Sequence, residues 1–150
     1  MRTKEFAFPV DIEWIGGSVV TTRVEGKEEI KTSSPPVFRG KDATVWSPED
    51  FFVASTASCL AITFQGIADR RELPLHSLAV KGDGVVARRD DGRFGFTRID
   101  LAIEIGTEPG HEELAEEIAR QAEEGCLVSV SLDVPISMKI EVDTARAARP

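Results

Sequence analysis

From Phe51 to Ala68 the chain reads Phe-Phe-Val-Ala-Ser-Thr-Ala-Ser-Cys-Leu-Ala-Ile-Thr-Phe-Gln-Gly-Ile-Ala, without a single charge. Ser47-Pro48-Glu49-Asp50 opens this stretch as a helix. Ser47 is suited to the N-cap, Pro48 to the first helical position, and the two carboxylates to the positive end of the macrodipole. With no charge before Asp69, no solvent-facing stripe can be drawn along it, so it must be covered on nearly all sides. Such a helix would be about 27 Å long. It is too short and too rich in Ser, Thr and Gln for a good membrane span, and no run reaches the roughly 18 apolar residues that a span requires. A small domain covers one face of it, and a second subunit is the simplest cover for the other.

The rest of the chain supplies strands. Residues 5–15 and 18–32 alternate imperfectly between apolar and polar, with Gly16-Gly17 and Gly26-Lys27 as turn signals, so an N-terminal β-meander is expected. Ser33-Ser34-Pro35-Pro36 breaks it, because two prolines withdraw two backbone donors, and a polar loop runs from Val37 to Val45. Leu75 to Val86 and Phe94 to Ile105 read as a hairpin about Asp91-Gly92. In the second strand Ile99, Leu101, Ile103 and Ile105 form one buried face, while Phe94 and Phe96 have the opposite parity. That change calls for a bulge near Thr97-Arg98 or for a strand covered on both faces. Pro109 to Glu124 reads as an amphipathic helix with Leu114, Ile118 and Gln121-Ala122 inward and Gly125 as its left-handed cap. Cys126 to Ser131 is short and helical or irregular, and Val134 to Val142 closes as a strand. The order β-β-β, α, β-β, α, β predicts α+β with a largely antiparallel sheet around a long buried helix.

With 150 residues, 41% of them hydrophobic, the chain has the size of one domain, 1–150, with a frayed tail at 144–150. The net charge of −8 opposes binding to nucleic acid or an anionic membrane. Two cysteines are too few for a disulfide scaffold, and the start Met1-Arg2-Thr3-Lys4-Glu5-Phe6 has no apolar signal core. A cytoplasmic protein is expected, in which a cysteine pair is either inert packing or redox chemistry.

Other chemistry is poorly supported. His76 and His111 have no second ligand at metal spacing. Gly82-Asp83-Gly84 lies within a strand pair and is no dinucleotide fingerprint, and Ser55 and Ser58 lack the hydrolase elbow and read as helix packing. Cys59, mid-helix, and Cys126, after Gly125, remain, each open to a packing role. A reactive thiolate in an apolar site needs a cation or helix-terminal donors. Arg39, between Phe38 and Gly40, suits an inward guanidinium that Glu49 would orient, although a solvated arginine is the ordinary alternative. Glu49 and Cys59 would stand about 15 Å apart along one straight helix, so they cannot share a site within it. Either the helix breaks, or the Arg39–Glu49 pair of one subunit meets the cysteines of another.

Three segments together resemble the OsmC/Ohr family of osmotically induced and organic-hydroperoxide-resistance proteins. They are Pro35-Pro36-Val37-Phe38-Arg39-Gly40, Trp46-Ser47-Pro48-Glu49-Asp50 running on to Ser58-Cys59-Leu60, and Glu124-Gly125-Cys126-Leu127-Val128-Ser129. The likeness extends from Trp14 to Val142 and is closer to the OsmC-like branch. It implies an intertwined α+β homodimer with two interface sites that reduces hydroperoxides at the expense of thiols. By position, Cys59 matches the peroxidatic cysteine, Cys126 the resolving cysteine, Glu49 the orienting carboxylate and Arg39 the activating arginine. The Ohr branch places its arginine directly after the first Gly-Gly, where Ser18 stands here, leaving Arg23 as the runner-up. No metal, haem or flavin is implied, only an external dithiol such as a dihydrolipoyl group. Phe51, Phe52, Leu60 and Phe64 could line an entry for an alkyl peroxide, with core packing as their competing role. Two other readings stand beside the peroxidase: a redox-sensing or apolar-ligand-binding dimer with little turnover, and a structural dimer with inert cysteines.

Overall fold

In a computed structural model of the chain, which describes residues 3–145, Gly16 and Gly17 take φ of 122° and 57°. These are conformations that glycine adopts without penalty. They fold β1 (Asp11–Gly16) back on β2 (Val19–Arg23), which pairs in turn with β3 (Ile30–Ser33), all antiparallel. The expected meander is therefore present, but it begins at Asp11 and not near residue 5. Phe6 and Phe8, at 78% and 82% exposure, have the alternation without a pairing strand. After the Pro35-Pro36 break the backbone makes one 3-10 turn, Pro36–Phe38, and returns beside β3, where the Ser33 N–H donates to the Trp46 carbonyl at 2.9 Å. This first compact unit ends at Phe51, whose ring stacks on Trp46.

The helix start is read correctly. α1 (Pro48–Arg70) opens with a reciprocal cap: the Asp50 N–H donates to Ser47 Oγ, and the Ser47 N–H and hydroxyl donate to Asp50 Oδ2. The helix then runs unbroken. By length and composition it is long and apolar enough to cross a membrane, contrary to the expectation from its Ser, Thr and Gln content. Here it packs on a sheet instead.

The second unit begins at Phe52. Its sheet is the hairpin β4 (Leu75–Arg88) and β5 (Phe94–Thr107), turning at Gly92 with φ of 82°, joined by β6 (Ile136–Asp143) in the order β4-β5-β6. Ile99, Leu101, Ile103 and Ile105 form the buried face, and the register slips opposite Val85 and Val86, leaving Thr97 unpaired. A bulge thus accounts for the change of parity at Phe96. The sheet is mixed, because β6 runs parallel to β5. The connection between them, carrying α2 (Glu112–Glu124) and α3 (Leu127–Val130), is long enough to return the chain to the same end, as a parallel pair requires.

Thr56, Leu60, Phe64 and Ala68, one turn apart, bury the inner stripe of α1 against these strands and against Ala115, Ile118, Ala119 and Ala122 of α2. Gln121 is exposed, in place of the expected inward position, and accepts a hydrogen bond from Arg71. The small alanines lie on the contact face and leave the polar residue outside. Gly82 and Gly84 of β4 make the close approach of α1 possible. A Cβ on Gly82 would meet Val53 Cγ1 at 2.9 Å, and one on Gly84 would meet Val53 Cγ2 at 2.5 Å. On the opposite face of α1, Ile62 is 71% exposed. The cover expected on nearly all sides of this helix is supplied by the described residues on one side, the side expected to meet its own domain.

Candidate active site

The stripe that buries Leu60 leaves Cys59 at the margin of the core, partly exposed. Cys126 reaches the same place from the other end of the unit. After α2 the Gly125 N–H still donates to the Gln121 carbonyl at 3.0 Å, Cys126 extends at φ −68° and ψ 110°, and its carbonyl accepts from the Val130 N–H to start α3. Gly125 has φ −95°, so it is not the left-handed cap expected. The chain does not reverse after α2 but re-enters a helix after one extended residue. Glycine still fits, because a Cβ would lie 3.3 Å from the Gln121 carbonyl oxygen. Cys126 is fully buried, and both cysteines are free thiols.

Partial burial pushes the Cys59 thiol up, but four groups outweigh it and hold its pKa below the ordinary thiol value. They are the Val128 N–H, the Cys126 thiol, the Thr63 hydroxyl and the Leu127 N–H. Donors aimed at a sulfur favour its charged form. These neighbours favour the thiolate, and no cation is among them.

The two cysteines are therefore brought together, while Arg39 and Glu49 are not. Arg39 is exposed, against the expectation of an inward guanidinium. Its neighbours are explained by the turn they form: Arg39 has φ 69°, the Gly40 N–H donates to the Pro35 carbonyl, and a Cβ on Gly40 would fall 1.6 Å from the Ser34 carbonyl oxygen. Among the described residues Arg39 and Glu49 form no ion pair, and Glu49 Oε2 is buried without a hydrogen-bond partner. Arg23 is paired with both Glu13 and Glu29 on the meander.

The aromatic and hydroxyl residues also separate. Leu60 and Phe64 are fully buried in the core and line no entry, Phe52 stacks on Phe96 with centroids 4.4 Å apart, and Phe51 stacks on Trp46. Ser55 and Ser58, expected as packing residues, are exposed. Sequence reasoning missed Thr63 and the Leu127 and Val128 amides. Thr63 was within reach of inference, since four residues on from Cys59 places it on the same helix face. The amides were not, because every residue but proline carries one.

A family model described as OsmC-like protein matches residues 40–141, a span that holds Glu49, Cys59 and Cys126 and starts just after Arg39. An OsmC-like protein of unknown function from Vibrio cholerae superimposes with a TM-score of 0.81 at 20% identity, over 91% of this chain and 99% of that one. An organic hydroperoxide resistance protein from Elizabethkingia anophelis gives 0.74 at 18%, over 93% and 99%. One from Bacillus subtilis gives 0.64 at 21%, over 92% and 98%. No curated protein matches by sequence.

Proposed function

The chain belongs to the OsmC-like protein family, and from that premise we propose that it is a thiol-dependent peroxidase that reduces organic hydroperoxides in the cytoplasm. The observation that carries this reading is the Cys59 thiol, favoured as thiolate and next to the buried thiol of Cys126. A fold shared with hydroperoxide resistance proteins is consistent with it.

The thiolate attacks the distal oxygen of the peroxide, the O–O bond breaks, and an alcohol leaves after taking a proton, with sulfenic acid left on Cys59. The Cys126 thiol displaces that oxygen as water and forms a Cys59–Cys126 disulfide. An external dithiol, such as a dihydrolipoyl group, reopens the bond by exchange and leaves as its own disulfide. Every electron comes from a thiol, so the cycle needs no resident cofactor.

Arg39 and Glu49 have a place in this scheme only across a dimer. Because α1 is unbroken, Glu49 stands about 15 Å along the axis from Cys59, so Arg39 and Glu49 are each proposed to serve the Cys59 of a second copy. The uncovered face of α1 and the unpartnered Glu49 oxygen support that arrangement.

The test is consumption of an organic hydroperoxide and of hydrogen peroxide with a dithiol reductant. Cys59→Ser abolishes turnover, and Cys126→Ser completes one stoichiometric oxidation and stalls at sulfenic acid. Multiple turnover by Cys59→Ser would refute the mechanism. Oxidation of the wild type to the disulfide without turnover would favour a redox sensor.

A further inference from the structure

Pro35 to Gly40 forms a closed turn. The Phe38 and Gly40 N–H groups both donate to the Pro35 carbonyl, at 2.9 and 3.0 Å, and the Arg39 N–H donates to the Pro36 carbonyl at 3.0 Å. Ser34 Oγ donates to the Phe38 carbonyl at 3.1 Å, which ties the entry of the turn to its exit. Two prolines fix φ on the entering side. Gly40 does not have a positive φ, so space and not backbone freedom demands it: a Cβ there would fall 1.6 Å from the Ser34 carbonyl oxygen.

Arg39 stands at the exit with φ 69°, a left-handed conformation that is costly for any residue carrying a Cβ. Among the described residues other than glycine, only Glu72 shares it. The surrounding bonds hold Arg39 there, so its Cα–Cβ bond leaves the backbone in one set direction. The side chain is exposed and makes no ion pair among the described residues. An unpaired guanidinium on a closed turn meets an anion without the ordering cost of a flexible loop.

We propose that Ser34 and Gly40 are positioning residues for Arg39: by closing the Pro35–Gly40 turn they fix the backbone from which the guanidinium reaches a thiolate. The proposal rests on the reading in which Arg39 serves the Cys59 of a second copy. The arginine is then delivered by a preformed turn and not by a loop that closes on the peroxide. Contacts between carbon and oxygen settle at about 3.3–3.6 Å, so Gly40→Ala forces the two ends of the turn apart by roughly 2 Å. The Arg39 side chain moves with the backbone that carries it. Ser34→Ala leaves the space and removes one tie, a milder form of the same change.

The experiment is kcat/KM for an organic hydroperoxide with a dithiol reductant, together with the pH midpoint of Cys59 alkylation by iodoacetamide. The proteins are wild type, Arg39→Ala, Gly40→Ala, Ser34→Ala and the two double variants that contain Arg39→Ala. Arg39→Ala lowers kcat/KM and raises the midpoint, because a cation near the sulfur favours its thiolate. Gly40→Ala does the same, by about 100-fold in kcat/KM, the loss that a displacement of about 1 Å can bring. Ser34→Ala gives a smaller loss in the same direction, up to about tenfold. Neither change adds to Arg39→Ala, since a residue that acts through the guanidinium has nothing to act on once it is removed. Losses that add to that of Arg39→Ala overturn the proposal, because they would come from general damage to the fold. Wild-type values for Gly40→Ala beside a clear Arg39→Ala defect overturn this proposal alone. An Arg39→Ala protein equal to wild type overturns the assignment of Arg39 as well, and a wild type that consumes no hydroperoxide overturns the peroxidase reading itself.

Discussion

Replacing Gly84 by alanine tests whether the sheet holds α1, and with it Cys59, where it stands. The new Cβ would lie 2.5 Å from Val53 Cγ2 and 2.7 Å from Phe96 Cε1. Ordinary carbon contacts begin near 3.5 Å, so the groups must separate by roughly 1 Å. Neither neighbour yields cheaply. Val53 is β-branched on a helix and has one strongly preferred rotamer, and Phe96 is stacked on Phe52. Overpacking of this kind costs about 1–3 kcal/mol. At about 2–4 °C per kcal/mol for a chain of this size, the melting temperature should fall by roughly 2–12 °C. Gly66→Ala in α1 itself is the matched control, because the nearest atom to its Cβ is Arg70 Nη1 at 3.7 Å. That change should stabilise by about 0.5–1 kcal/mol through helix propensity. Far-UV circular dichroism melts at equal protomer concentration measure both, since melting of any oligomer depends on concentration. A Gly84→Ala protein that melts at or above wild type would show that α1 does not press on β4 at Gly84, and the placement of Cys59 would have to be reconsidered.

Further outcomes follow from the same contacts. The Cys59 pKa is lowered in the folded chain, so the stabilisation it brings is fully present above the unfolded thiol pKa and is lost as pH falls through the native value. Denaturation midpoints of wild type and Cys59→Ser should therefore diverge in favour of wild type from neutral toward alkaline pH, and a constant difference would contradict the lowered pKa. Ser47→Ala removes one half of the cap shared with Asp50 and should cost about 1 kcal/mol in urea denaturation, with no loss expected if the Ser47–Asp50 bonds do not form in solution.

The parts of the fold legible in the sequence were those set by short-range chemistry. Ser47-Pro48-Glu49-Asp50 marks a helix start, the isoleucines of β5 mark a buried face, and the opposite parity of Phe94 and Phe96 leaves a bulge at Thr97 as one of two readings. What the sequence could not disclose depends on where distant segments meet. β6 has the same alternating pattern whether it pairs parallel or antiparallel, and only the length of the α2–α3 return decides between them. The cysteine pair stands out by position, whereas the Leu127 and Val128 amides do not, because a guanidinium is visible in a sequence and a backbone amide is not. Gly40 has a local cause. It is required by the Ser34 carbonyl beside it and, read from the sequence, says nothing about the direction of the neighbouring arginine.

The unequal exposure of the two sulfurs gives the proposed cycle a fixed regiochemistry. In a disulfide between them, the Cys126 end would lie inside the core and the Cys59 end at its margin. A thiolate arriving from solvent can approach along the S–S axis only from the Cys59 side, so the mixed disulfide forms there and Cys126 is the leaving group. The reductant thus meets the same atom as the peroxide, and one opening serves both halves of the reaction in turn.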